Sequence, residues 1–169
     1  MHINLYIATS VDGQIATAEG GVSWLEKYGK EDEDYGYKKF YEKMDVLLMG
    51  ANTYKQIQGF GKWPYKNKKV YVFTRQEVGT NGEVTFLQGN VKEAMKKIQG
   101  ENAWLVGGAD LVKRFQDEHL IDTYIITIMP ELLGTGIPLF LPTTKEQFTL
   151  KETKSYPDGV VQHTYEKKS

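Results

Sequence analysis

The amino-acid sequence predicts one α/β domain, a mostly parallel sheet covered by helices and finished by an antiparallel strand pair. Three observations carry this. Short apolar runs alternate with stretches of helical spacing along most of the chain. At 169 residues the chain has the length of a single domain, enough to bury one substantial core. The last two apolar runs, about 148–154 and 160–166, are joined by Pro157-Asp158-Gly159, a turn sequence of the hairpin type.

Each element has its own signal. Ile3, Leu5, Ile7 and the residues between them form a first strand, ending at Ser10-Val11-Asp12-Gly13, where aspartate and glycine supply a turn. A polar, glycine-containing stretch follows to Gly29. From Asp32 to Lys43 the spacing of Tyr37, Phe40 and Tyr41, continued by Met44, predicts a helix. Asp45 to Gly50 is nearly all apolar and suits a strand buried on both faces. Asn52 or Thr53 is positioned to cap a short helix through Ile57.

Gly59, Gly61 and Pro64 break that pattern before a second buried strand, Val70 to Thr74. Val84 to Leu87 reads as a strand and Val91 to Ile98 as an amphipathic helix. Ala103 to Val106 is a further strand, followed by Gly107-Gly108 and a helix from Asp110 to about Glu118. Leu120 to Met129 is rich in β-formers. No internal repeat, low-complexity tract or linker interrupts the series.

Composition narrows the function classes. Hydrophobic residues at 40% and charged residues at 25% describe an ordinary globular protein. A formal net charge of −1, with acids and lysines interspersed, gives no footprint for nucleic acid or an anionic membrane. The absence of cysteine removes disulfides, thiolate metal sites and cysteine nucleophiles. His2, His119 and His163 are scattered, so no histidine metal site or catalytic triad is expected. The first residues lack the features of a signal peptide, and no apolar run approaches the roughly 20 residues of a membrane span. A soluble, unprocessed, cytoplasmic protein is the expectation.

In sheets of this kind ligands bind where strands end and helices begin, because helix N-termini offer free N–H groups and partial positive charge. Two junctions fit: Met49-Gly50-Ala51-Asn52-Thr53 and Val106-Gly107-Gly108-Ala109-Asp110. Neither is a Walker loop or a G-x-G-x-x-G fingerprint, and either glycine set could serve only to turn the chain.

Taken in order, Ala8…Ser10-Val11-Asp12-Gly13…Ile15, then Leu48-Met49-Gly50…Thr53, then Val106-Gly107-Gly108, resemble the dihydrofolate reductase superfamily. The stretch from Gly107 to Val112, with Leu120-Ile121-Asp122 and Pro130 to Phe140, is similar to the reductase domain of bacterial riboflavin-biosynthesis deaminase-reductases and their stand-alone relatives. The resemblance covers nearly the whole chain. It implies a three-layer α/β/α fold and a reductase that moves hydride from NADPH to a small heterocycle.

That resemblance also assigns residues. Ala8 and Ile15 border the nicotinamide, under a flap from Ala16 to Trp24. Gly50, Asn52 and Thr53 receive the pyrophosphate, with Gly107, Gly108, Ala109, Asp110 and Leu111 completing the cradle and a cis peptide at Gly107–Gly108. Thr74 and Arg75 lie beside the adenosine half, where Arg75 is either a partner of a 2′-phosphate or a solvated loop arginine. Ala51 stands where folate reductases usually carry a cofactor-binding arginine, which leaves the choice between NADPH and NADH open.

Folate reductases hold the substrate ring with a buried carboxylate bonded to a threonine on a later strand. Counting back from Met49-Gly50 without gaps puts Asp34 at the first place, and Thr127 falls at the second. Buried so, Asp34 would have a raised pKa and could act as acid or anchor. The other reading is that Asp32, Glu33 and Asp34 are an acidic helix start.

Trp24, Tyr37, Lys38 and Ile57 are expected at the substrate end, with Trp63 beside them, although aromatic residues at such spacings also build cores. Lys38 replaces the phenylalanine that folate reductases keep, and 59–69 carries lysines instead of their glutamate-gripping arginine. A phosphorylated ribosylamino-pyrimidine fits better, with Lys38, Lys62 or Lys66 able to supply charge. The zinc deaminase signature of the bifunctional enzymes is absent. Two further readings stand beside this one: a folate or pterin reductase, and a non-catalytic nucleotide-binding module. The resemblance also implies a homodimer.

Overall fold

The computed structural model describes residues 1–30, 32–76 and 79–168. In chain order they form β1 (His2–Thr9), β2 (Gln14–Ala16), a 3-10 turn (Ser23–Leu25), α1 (Tyr37–Glu42), β3 (Val46–Gly50), α2 (Ala51–Gly59) and β4 (Lys69–Phe73). These are followed by β5 (Gly79–Asn81), β6 (Val84–Leu87), α3 (Val91–Met95), β7 (Asn102–Gly107), α4 (Ala109–Asp117), β8 (Thr123–Ile128), β9 (Ile137–Pro138), β10 (Phe148–Ser155) and β11 (Val161–Lys167).

Nine strands make one mixed sheet in the order β10-β11-β8-β1-β7-β3-β4-β6-β5. From β8 across to β6 every pairing is parallel. Antiparallel strands close both sides, the β10–β11 hairpin beyond β8 and β5 against β6. A separate two-stranded sheet pairs β2 with β9.

Strand alternation sorts the core into layers. Val46, Leu47, Leu48 and Met49 are all 0% exposed, as an unbroken apolar run in a doubly covered strand requires. Val46 and Leu48 face a cluster with Val91 and Ala94 of α3 and Leu111, Val112 and Phe115 of α4. Leu47 and Met49 face the opposite cluster with Tyr54 and Ile57 of α2, backed by Tyr37, Phe40 and Tyr41 of α1. The result is a three-layer α/β/α domain, the architecture expected from sequence.

Several boundaries differ from expectation, for local reasons. α1 begins at Tyr37 and not at Asp32, because Tyr35 and Gly36 take left-handed φ values of 54° and 82°. The Asp34 carboxylate supports that turn by accepting from the backbone N–H of Gly36 (2.8 Å) and of Lys38 (2.9 Å). Neither Asn52 nor Thr53 caps α2; Gly50 is its N-cap, without a side-chain bond. α3 ends at Met95, short of Ile98, and its cap is Asn90, whose Oδ1 accepts from Lys92 and Glu93. β5 and β9, three and two residues long, are too short to leave a periodic signal. No described helix is long and apolar enough to cross a membrane.

Candidate functional site

The C-terminal ends of β1, β3, β4 and β7 open onto one cleft of about 1410 Å³. Its floor is where α2 and α4 begin. Gly50 leads from β3 into α2, and Gly107-Gly108 leads from β7 into α4 through a cis peptide, as expected from sequence. Thr53, one turn into α2, turns its Oγ1 away from its own helix to accept from the Gly108 N–H at 3.0 Å. Gly107 has φ of +132°, which favours glycine there, while a Cβ on Gly108 would stand in ordinary contact with that oxygen at 3.4 Å. Two helix N-termini therefore converge on one place, each nine residues long and each with a positive end.

The walls come from elsewhere in the chain. Ile7, Ala8 and Ile15 line the cleft beside β1, and Ala16, Ala18, Glu19, Gly20, Val22 and Leu25 close it from the loop that follows β2. That loop is tied at three points. Thr17 Oγ1 accepts from Gly21 N (3.0 Å), and Gln56 of α2 reaches across to donate to the Gly20 carbonyl at 2.8 Å. At its base β2 pairs with β9, and a Cβ on Gly136 would lie 2.4 Å from the Ala16 carbonyl oxygen. Only glycine allows that approach.

At the far end Phe73, Thr74, Arg75 and Arg114 line the cleft. The Arg114 guanidinium lies 5.7 Å from the Phe73 ring centroid and donates to the Gly89 carbonyl. Burial, with the nearby Arg75 charge, lowers its pKa.

All twelve residues assigned to a dinucleotide lie on this one cleft: Ala8, Ile15, Gly50, Asn52, Thr53, Thr74, Arg75, Gly107, Gly108, Ala109, Asp110 and Leu111. The four residues assigned to substrate are not brought to it. Tyr37 and Ile57 sit in the aromatic cluster between the sheet and α1–α2, Tyr37 with its ring 5.7 Å from that of Trp104. Lys38 is exposed. Trp24 packs in a small cluster with Tyr35, Met129 and Val160, beside Ala8 and Leu25, which do line the cleft.

The expected carboxylate–threonine pair does not form. Asp34 is exposed, and its backbone hydrogen bonds from Lys38 and Gly36 hold its pKa below the usual carboxylate value, opposite to the expected rise. The ungapped count from Met49 placed it on a helix, whereas it lies in the turn that precedes α1. Thr127 is buried and accepts from Gln162 Nε2 at 2.9 Å. The same amide donates to the Tyr35 carbonyl at 3.1 Å, where the Tyr6 hydroxyl also donates at 3.1 Å. Burial pushes the Tyr6 phenol up to about 12, so it is a neutral donor at physiological pH. The buried group opposite Thr127 is thus an amide.

With this geometry in place, comparison with known proteins gives a consistent answer. Residues 1–162 match the model of the RibD C-terminal domain. The chain belongs to that family. YwjB of Bacillus subtilis, an uncharacterized protein, is 39% identical over 165 residues, 94% of each chain. YyaP of the same organism, also uncharacterized, is 31% identical over 183 residues, 96% of this chain and 93% of its own.

Among solved structures, a Shewanella sp. PV-4 protein assigned to riboflavin biosynthesis has a TM-score of 0.91 at 30% identity over the whole of both chains. The Thermotoga maritima deaminase/5-amino-6-(5-phosphoribosylamino)uracil reductase superposes with a TM-score of 0.76 at 15% identity, covering 99% of this chain and 56% of that one. Dihydrofolate reductase of Enterococcus faecalis, complexed with NADP(H), gives 0.70 at 19% identity over 99% of this chain. The last two likenesses establish the shared fold.

In this RibD-type domain, sequence reasoning missed Gln56, Arg114 and Gln162. Arg114 had a usable signal, since it lies four residues after Asp110 on α4 and so on the same helix face. Gln162 had none: it meets Thr127 only because β11 pairs with β8 in the register Gln162↔Thr127.

Proposed function

We propose that the chain is an NADPH-dependent reductase of a small heterocyclic substrate, of the kind the Thermotoga maritima relative is named for, a ribosylamino-pyrimidine phosphate. The observation that carries the reading is the meeting of α2 and α4 across Thr53 and Gly108 on the floor of a long cleft. Convergent helix N-termini with glycine at the closest approach suit a pyrophosphate. The cleft exceeds the roughly 300–1,000 Å³ of pockets for drug-sized ligands, as a dinucleotide with a second substrate requires.

The residues present fit such a cofactor, which when bound would supply the hydride. On this reading Gly50, Asn52 and Thr53, with Gly107 to Leu111, hold the pyrophosphate, and Thr74 and Arg75 hold the adenosine half. Ala8 and Ile15 present an apolar border to the nicotinamide ring. The loop from Ala16 to Trp24, tied to α2 through Gln56, excludes water from the reacting face. Glu19 and Asp110 are the carboxylates among the described cleft residues, and Asp34 has no part in proton transfer.

A folate reductase is the weaker reading, because an amide stands at Thr127 where that chemistry uses a carboxylate. A homodimer in the cytoplasm belongs to the same proposal; the exposed β10, with Leu150 53% exposed at the sheet edge, is the surface on which copies would pair. The test is oxidation of NADPH, followed by its near-ultraviolet absorbance, with the ribosylamino-pyrimidine phosphate and with dihydrofolate. Turnover of the pyrimidine alone is expected. Turnover of dihydrofolate alone would replace the substrate half of the proposal.

A further inference from the structure

We infer that a second, smaller cavity of about 340 Å³, beside the main cleft, binds a small flat organic cation: an amidinium, a guanidinium or a ring-borne ammonium. It lies between α2, the loop that follows α2 and the β5–β6 pair. None of its lining residues is assigned to the dinucleotide, and the inference does not depend on that reading. Trp63, expected at the substrate end, stands here and not in the cleft.

The inner wall is apolar and aromatic. Tyr54 and Val84 are buried, and the half-buried Trp63 packs against Tyr54 with ring centroids 5.6 Å apart and planes at 68°. Both rings are fixed by other contacts. Tyr54 is edge-on to Phe86, and its hydroxyl accepts from Gln58 Nε2 at 2.8 Å. Trp63 is edge-on to Tyr65 and donates its Nε1–H to the Tyr65 carbonyl at 3.1 Å. With these polar tips already bonded, the rings offer a ligand π surface that needs no reordering on binding.

The rim supplies acceptors and one charge. Gln58, Asn81 and Glu83 are exposed there, and Gln58, its amide nitrogen committed to Tyr54, has its carbonyl oxygen to offer. Glu83 is the one ionised side chain among the described lining residues. Residues 31, 77, 78 and 169 include no lysine, arginine or histidine, so no cation outside the described residues offsets it. Lys62, Lys66 and Lys68 of the adjoining loop do not line the cavity, and Lys68 is turned to the Met44 carbonyl (2.6 Å) and the Tyr41 ring (4.8 Å). An aromatic corner beside a carboxylate, with no cation in its lining, favours a positive ligand over a neutral or anionic one. The volume is near the lower end of the roughly 300–1,000 Å³ of small-molecule pockets, which suits a single ring.

The experiment titrates the full chain with benzamidine, a flat cation at neutral pH, and with benzamide, its neutral isostere, followed by proton–nitrogen correlation NMR. Shifts are expected at the Trp63 indole N–H and at the backbone of Gly61, Asn81 and Val84. Benzamidine is expected to bind about fivefold or more tighter than benzamide, the size of a cation–π contact with an exposed ion pair. In Glu83→Gln, an exposed change that spares the core, that ratio is expected to fall by about twofold or more. Trp63→Leu is expected to remove the binding of both probes, and Trp63→Phe to retain it.

Equal binding of the two probes, binding of neither, a ratio unchanged in Glu83→Gln, or shifts confined to the main cleft overturns the inference. Tyr54, Gln58 and Asn81 line both cavities, so the titration is repeated with saturating NADPH. The Trp63 shifts are expected to persist; their loss would place the probe in the main cleft and overturn the inference as well.

Discussion

Gln162 donates its side-chain amide to Thr127 Oγ1 at 2.9 Å, across the β11–β8 pairing and shut away from solvent. The bond joins the C-terminal hairpin to the parallel part of the sheet. It also decides the chemistry available there, since a buried amide orders its neighbours but has no proton to give at neutral pH.

Replacing Gln162 by Leu leaves Thr127 Oγ1 without its amide donor and removes one donor to the Tyr35 carbonyl. A loss of about 1–3 kcal/mol is expected for stranding such groups. Urea unfolding measures it, and a change under about 0.5 kcal/mol would mean that water replaces the amide.

Asp34 is expected to act on stability and not on turnover. Asp34→Ala removes acceptors for Gly36 and Lys38 and should cost about 1 kcal/mol, the usual net size of a lost hydrogen bond. Because the folded-state pKa is depressed, the contribution is present above the ordinary aspartate range and is lost as pH falls through the folded value. The stability gap between wild type and variant should therefore narrow in acid. Asp34→Asn should keep kcat within about twofold, whereas a general acid would show a loss of about a hundredfold or more.

Thr53 joins the two halves of the cleft floor. Thr53→Val leaves the Gly108 N–H without its acceptor and should weaken NADPH binding about tenfold, while Thr53→Ser, which keeps the oxygen, should restore it. Fluorescence titration separates the two variants; equal affinity in Val and Ser would show that the hydroxyl does not order the site.

Gln56 holds the loop over the cleft through one bond to Gly20. Gln56→Ala should release NADPH several-fold faster, as loss of about 1 kcal/mol of closure implies, with little change in thermal stability. Stopped-flow displacement gives the rate.

Much of this was legible in the sequence, and what was not has physical causes. β3 could be placed because a strand covered on both faces must be apolar throughout. The Gly107–Gly108 junction could be placed because a positive φ, +132° at Gly107, calls for glycine at the end of an apolar strand. The start of α1 was misjudged because Asp32 to Gly36 has helix-compatible residues but a left-handed turn at Tyr35 and Gly36. Tyr37, half-buried, and Ile57, buried, pack in the cluster between the sheet and α1–α2 and do not line the cleft, because spacing alone does not say which face of a helix meets a ligand. Partnerships such as Gln162 with Thr127, and Gln56 with Gly20, join residues 35 and 36 apart through folding, and nothing local announces them.

Hydrogen–deuterium exchange of the full chain with and without saturating NADPH tests the central claim most directly. The account predicts added protection in three segments, Gly50 to Thr53, Gly107 to Leu111 and the loop from Ala16 to Trp24, with little change in β10 and β11. Protection absent from the two glycine junctions, or found only elsewhere, would contradict it.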